Sequence, residues 1–230
     1  MTRLFRLAIC ALLLLCAATS FAQGGAASEQ NPPAPAQSIA ALALAQNTPD
    51  AASIRHEHWV FGVLTSGGSG LFDRDNVQFI RAGIRVGGVM TGVLGKSWAR
   101  GTFEEDVEIM PLDYVLWGGY GPVYGFGVNP VVMKWNFTRG NKFIPYFLAQ
   151  GGFLHTHVKV PPGNTSTVNF TEGPGIGFNY FVKPGRSVYF DFRAAHLSNA
   201  SLGDHNPGVN SSLQISLGYN WWQQHNWRQH

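Results

Sequence analysis

From His58 onward this chain alternates apolar and polar residues with period two, and within each stretch most of the charges share a parity. Arg81 and Arg85 do so in one stretch, Glu104, Asp106 and Glu108 in the next, Lys134 and Asn136 in a third, Asp191 and Arg193 in a fourth. The opposite parities carry Ile80, Ile84 and Val86; Phe103, Val107 and Ile109; Val131, Met133, Trp135 and Phe137; and Phe190 and Phe192. Successive strand residues point to opposite faces, so each stretch has one charged and one apolar face. The stretches are long, near ten residues or more, which suits a tilted membrane-crossing strand better than the ~5–6 residues usual in soluble sheets. An all-β barrel with lipid outside and charges inside reconciles length with parity.

The alternating segments cover 58–66, 77–88, 98–110, 124–138, 142–156, 167–182, 186–198 and 211–222, with no convincing helical period, and predict an eight-stranded antiparallel transmembrane barrel. The turns Thr138-Arg139-Gly140-Asn141 and Lys183-Pro184-Gly185 are tight, whereas 67–76, 111–123, 157–166 and 199–210 are long. Long and short links alternate, as they do when one set is external and the other periplasmic; 89–97 is longer than a tight turn should be. Trp117, Trp135, Tyr180, Trp221 and Trp222 fall near strand ends, where aromatic girdles belong. Side chains just fill a barrel of this size, so the inward charges are expected to form a salt-bridged plug rather than a channel.

Residues 1–22 read as a secretory signal, with Arg3 and Arg6 before an apolar run from Leu7 to Cys16 and the small-residue site Ser20-Phe21-Ala22. A lipid anchor at Cys16 competes with simple cleavage, but Leu15 stands where a small residue normally precedes a modified Cys. Both cysteines, Cys10 and Cys16, leave with the signal, so no disulfide framework is expected. Loss of Arg3 and Arg6 takes Lys+Arg from 16 to 14 against 13 Asp+Glu, and the formal charge from +3 to +1. So slight an excess, without clustering, implies no nucleic-acid partner. Residues 23–55, rich in Ala, Pro, Gln and Ser, read as a flexible leader, with a brief helix conceivable over 38–46. The barrel then spans 56–222, and 223–230 form a polar tail.

With both ends periplasmic, the seventh strand runs outward and ends at His196-Leu197-Ser198-Asn199. His196 and Ser198 share the apolar parity with Phe190 and Phe192, which turns a base and a hydroxyl toward lipid at the outer leaflet. In the outer membrane of a Gram-negative cell that leaflet is lipopolysaccharide, so a hydrolytic pair there points at the acyl esters of lipid A. A serine hydroxyl becomes a nucleophile when an imidazole takes its proton, and the intermediate needs donors aimed at its oxyanion. Asn199 and a backbone N–H of the following turn could supply them. Alone, these four residues are a weak motif, and an interfacial histidine followed by a turn is the better reading of them.

The run His196-Leu197-Ser198-Asn199-Ala200-Ser201-Leu202, followed by Asn206-Pro207-Gly208-Val209-Asn210 and a last alternating strand, resembles the lipid A 3-O-deacylase (PagL-type) family of outer-membrane acyl hydrolases. Val132-Met133-Lys134-Trp135-Asn136-Phe137 and Ile144-Pro145-Tyr146 are similar to that family's strands. The resemblance implies an eight-stranded barrel, His196 and Ser198 in a Ser-His-acid triad, and an oxyanion hole made by Asn199 and the N–H of Ser201, where Gly is usual. The family pattern has Glu fourteen residues after the His; this chain has Asn210. An acid in that role fixes the imidazole tautomer and stabilises imidazolium. In serine proteases its replacement by an amide costs about 10⁴ in turnover, although Cys-His-Asn enzymes function.

Another carboxylate can be placed by register. A turn at 183–185 that pairs Val182 with Arg186 carries the ladder to Glu172 opposite His196, and cross-strand partners on one face lie ~5 Å apart at Cβ. Glu172 is an acid on a parity otherwise holding Phe170, Ile176, Phe178 and Tyr180. A bulge would instead put it in a loop; Asp204 is a weaker candidate.

The reading is an outer-membrane esterase that removes an ester-linked acyl chain from lipid A without a cofactor, with lipopolysaccharide as its partner and a homodimer left open. Its rivals are a structural or adhesive barrel that has lost the chemistry, and a periplasmic lipocalin-like binder with the parities reversed. His56-x-His58 and His155-x-His157 have metal-ligand spacing, but no acid or cysteine cluster accompanies them, so they are read as surface residues.

Overall fold

A computed structural model describes residues 52–55, 58–72, 76–163, 165–206 and 209–224. The expected signal, the leader up to residue 51 with its helix at 38–46, His56 and the tail from 225 lie outside the described residues. A helical turn, α1 (Ala52–Arg55), precedes eight strands: β1 (His58–Gly70), β2 (Val77–Val89), β3 (Gly101–Trp117), β4 (Val123–Phe137), β5 (Phe143–Val160), β6 (Ser166–Lys183), β7 (Arg186–Ser198) and β8 (Val209–Gln224). Each strand pairs antiparallel with its neighbour, and β8 returns to β1, closing the barrel. Closure satisfies every strand edge, which is what allows strands to cross lipid. Among the described residues no helix is long and apolar enough to cross a membrane.

The parity reading holds for the charged residues that carried it. Arg81, Arg85, Glu104, Asp106, Glu108, Asp113, Lys134, Asp191 and Arg193 are all buried in the lumen, while Ile80, Ile84, Val107, Met133 and Phe192 are exposed on the outer wall. This arrangement overturns the lipocalin-like alternative, which needs charges outside.

The lumen is filled in three layers. At the end of the 71–76 and 199–208 links, which the sequence reading assigns to the extracellular side, Val77, Phe79, Val115, Trp117, Val123, Leu154, Val160 and Val209 form an apolar plug against which Leu197 packs. In the middle, four cations meet five carboxylates. Arg193 holds Glu108 at 2.8 Å and Asp191 at 2.9 Å, Arg85 also engages Glu108, Lys134 holds Glu104 at 2.8 Å and reaches Asp106, and Arg81 pairs with Asp113 at 2.8 Å. The Arg85 guanidinium also lies 4.1 Å from the centre of the Tyr189 ring. At the periplasmic end Val60, Val89, Ile144, Phe181 and Trp222 close around Ile54 of α1. The last residues of the stretch read as a leader thus cork the barrel, and Thr102 Oγ1 donates to the Ile54 carbonyl at 2.9 Å to hold them.

Other expectations are corrected. Trp117 and Trp222 are not girdle residues but lumen residues, 7% and 4% exposed; Trp222 can turn inward because its indole N–H donates to Ser187 Oγ at 2.9 Å. The third strand starts at Gly101, not 98, and runs on to Trp117. It passes Pro111 through a register shift between Met110 and Asp113, where the missing N–H of proline breaks no ladder bond. The long links shrink accordingly to 71–76, 118–122, 161–165 and 199–208. β8 continues to Gln224, into the stretch read as tail.

Candidate active site

The site stands at the extracellular end of β7. Ser187, Tyr189, Asp191 and Arg193 are buried in the lumen, so His196 and Ser198, on the other parity, face outward with Phe192. They sit two residues apart on one face, at the last positions of the strand.

On the β6 side, Glu172 is the direct ladder partner of His196, and Phe170 that of Ser198. The register expected from the tight turn holds, although at the turn itself Lys183, not Val182, pairs with Arg186. Glu172 is exposed on the outer wall, so the ladder brings base, hydroxyl and carboxylate onto one lipid-facing patch. One strand further, Gly151 is the partner of Glu172 and Phe153 that of Phe170. A Cβ at Gly151 would meet nothing within 4 Å, so the wall beside the acid is open there.

On the β8 side, Ala195 pairs with Ser212 but Leu197 pairs with Val209. Two residues, Asn210 and Ser211, therefore oppose the single residue His196. This is a β-bulge, the irregularity that recurs beside active sites because it re-aims side chains. Ser212 Oγ pins the bulge by donating to the Ala195 carbonyl at 2.8 Å. Both candidate third members thus flank His196, Glu172 on one strand and the backbone of Asn210 on the other. Asp204 is exposed in the loop beyond.

The expected oxyanion donors are bonded to each other and to the loop. Asn199, 1% exposed, donates through Nδ2 to the His205 carbonyl at 2.8 Å and accepts the Ser201 N–H on Oδ1 at 2.9 Å. Its own N–H donates to Asn206 Oδ1 at 3.0 Å. Asn199 is therefore the organiser of the turn as it stands, and the Ser201 N–H is engaged. Ala200 and Ser201 have φ of +48° and +64°. This left-handed conformation costs an ordinary residue about 1–2 kcal/mol and a glycine nothing comparable, the physical reason for glycine at the second position. Neither the bulge nor the bracing by His205 and Asn206 was foreseen; the signal was Asn206 ahead of Pro207-Gly208, a side chain placed to bond back across a turn.

His157 Nδ1 accepts the Tyr124 N–H at 3.1 Å, and among the described residues no cluster of three or more His, Cys, Asp or Glu could hold a metal ion.

The crystal structure of the outer membrane enzyme PagL superposes with a TM-score of 0.50 at 20% identity, over 70% of this chain and 98% of that one. Neisserial surface protein A gives 0.44 at 13% identity over 72% and 96%, and OprG from Pseudomonas aeruginosa 0.40 at 9% over 75% and 98%. No curated protein matches the chain. The family model described as lipid A 3-O-deacylase (PagL) matches residues 85–220, more than half of the chain and all of the patch around His196. The chain belongs to the lipid A 3-O-deacylase (PagL) family of outer-membrane β-barrels.

Proposed function

We propose that this protein is an outer-membrane esterase that hydrolyses an ester-linked acyl chain of lipid A, with Ser198 as nucleophile and His196 as base. The observation that carries the reading is that Ser198, His196 and Glu172 stand together on the outward face at the end of β7, whereas most strand charges of this barrel, among them Arg85, Glu108, Asp191 and Arg193, are buried in the lumen. An acid and an imidazole facing lipid are unfavourable without a function, and the substrate's ester bonds lie at that depth.

In the reaction Ser198 Oγ attacks the ester carbonyl while His196 accepts its proton. The tetrahedral intermediate collapses as imidazolium returns the proton to the departing sugar hydroxyl. Water, deprotonated by His196, then attacks the acyl-serine, and the imidazolium returns that proton to the departing Ser198 Oγ as the fatty acid is released. Rotation of the Asn199 carboxamide away from the loop would at once release the Ser201 N–H and turn Nδ2 outward, giving the developing oxyanion two donors.

Glu172 is the acid of the site, taking the role that the family pattern gives to position 210. It is the carboxylate adjacent to His196 in the ladder, and a carboxylate stabilises imidazolium in a way that the neutral amide of an asparagine cannot. The test is to refold the mature chain in detergent, incubate it with purified lipopolysaccharide and weigh the lipid A beside a Ser198→Ala control. Loss of one acyl mass with the wild type alone is expected. No loss with either protein would favour a structural barrel that has lost the chemistry.

A further inference from the structure

At the periplasmic mouth, far from the patch above, three arginines from three separate segments line one open pocket of about 460 Å³: Arg55 of α1, Arg100 of the β2–β3 link and Arg139 of the β4–β5 turn, with Ser97, Thr138 and Asn141 also lining it. Among the described residues no carboxylate lines the pocket and none of the three arginines forms an ion pair. Arg55 is fixed in place by neutral groups: its Nη2 donates to the Gly140 carbonyl at 2.8 Å and to Asn141 Oδ1 at 3.1 Å. Arg100 and the turn are locked together by the Thr138 N–H on the Arg100 carbonyl at 3.1 Å. Among the described residues, the buried hydroxyl of Thr138, 2% exposed, and Nε of Arg55 have no hydrogen-bond partner. Three arginines lining one pocket, with no described carboxylate beside them, make it electropositive, and an anion with several acceptor oxygens complements that charge. Phosphate fits best, because guanidinium forks bond its oxygens in pairs.

The surroundings identify the source of the phosphate. The link from β2 to β3, which delivers Ser97 and Arg100, also presents Met90, Leu94 and Trp98 at 52%, 49% and 70% exposure. Apolar side chains and a tryptophan beside a cationic pocket at this end of the wall match the boundary between acyl chains and headgroups of the periplasmic leaflet. We propose that this pocket binds the phosphodiester of an anionic phospholipid of that leaflet. The site is independent of ester hydrolysis on the opposite side of the membrane.

The full mature protein, refolded in a zwitterionic detergent, would be titrated with short-chain phosphatidylglycerol, short-chain phosphatidylcholine and inorganic phosphate, with bound species counted by native mass spectrometry. An Arg100→Gln/Arg139→Gln variant would be run in parallel; it keeps Arg55, which braces the cork. The expected result is one phosphatidylglycerol per wild-type protein, bound at least about tenfold more tightly than phosphatidylcholine, with that preference lost in the variant. Equal binding of the two lipids, or an undiminished preference in the variant, would overturn the proposal. Phosphate binding as tightly as the lipid would also overturn it, by making the site one for a free anion. Heat-shifted migration on gels would confirm that both proteins are folded.

Discussion

Replacing Arg193 with methionine tests whether the lumen is a dry ionic core. Arg193 is 1% exposed, and its five N–H donors are matched by five bonds: two to Glu108, at 2.8 and 2.9 Å, two to Asp191, at 2.9 and 3.1 Å, and one to Gln150. Methionine fills much of the same space but donates nothing. Glu108 would keep Arg85 and the Asn129 amide. Asp191 would keep only the Tyr146 hydroxyl at 3.1 Å and a distant Arg85 at 4.0 Å. Stripping one partner from a buried pair leaves an uncompensated charge and costs about 3–5 kcal/mol. At ~1.4 kcal/mol per factor of ten, the folded-to-unfolded ratio should fall by about 10²–10³ or more. The double variant Arg193→Met/Asp191→Leu removes the stranded charge and should recover at least about half of the loss. The assay is reversible urea unfolding in lipid vesicles followed by tryptophan fluorescence. A single-variant loss below about 1 kcal/mol would refute the reasoning, because it would mean that water screens these charges.

Glu172→Gln should lower turnover on lipopolysaccharide by about 10²–10⁴ with the barrel still folded, whereas Asn210→Ala should change it by less than about tenfold; the reverse order in a lipid A mass assay would return the third position to Asn210. Ser201→Gly relieves a φ of +64° and should stabilise the 199–208 loop by up to about 1 kcal/mol, seen as slower proteolysis of folded protein; faster cleavage would show that the serine side chain braces the loop. Gly173→Ala should fail to fold or lose more than about 2 kcal/mol, since its Cβ would collide with the Ala194 carbonyl oxygen. Gly151→Ala, with nothing within 4 Å of the added carbon, should migrate as folded protein on gels; equal behaviour of the two would contradict this strand register.

Much of the barrel was legible because one physical constraint acts along its whole wall. Lipid outside and a packed lumen inside force period two, and a tight turn at 183–185 then propagates register far enough to set Glu172 against His196. What escaped reading lies where that period breaks. Val209 has the same parity as Leu213 and Ile215, yet it is buried in the lumen plug, because the bulge at Asn210 and Ser211 reverses the faces. Pro111 looked like the end of a strand because proline cannot donate to a ladder, and only the neighbouring strand shows that a shift absorbs it. Trp117 and Trp222 looked interfacial, since sequence position near a strand end does not say which way a ring points. The bonds around Asn199 were invisible for another reason: they depend on where a loop returns, and no periodicity governs that.

The sealing of the lumen bears on the permeability of the cell envelope. Apolar plugs at both mouths, one of them completed by Ile54 from outside the barrel, enclose a salt-bridged middle. A solute would have to displace a packed layer to enter and break several ion pairs to advance. Many copies of this wall can therefore be inserted in a membrane without adding leak, and a planar bilayer that carries them should stay electrically silent.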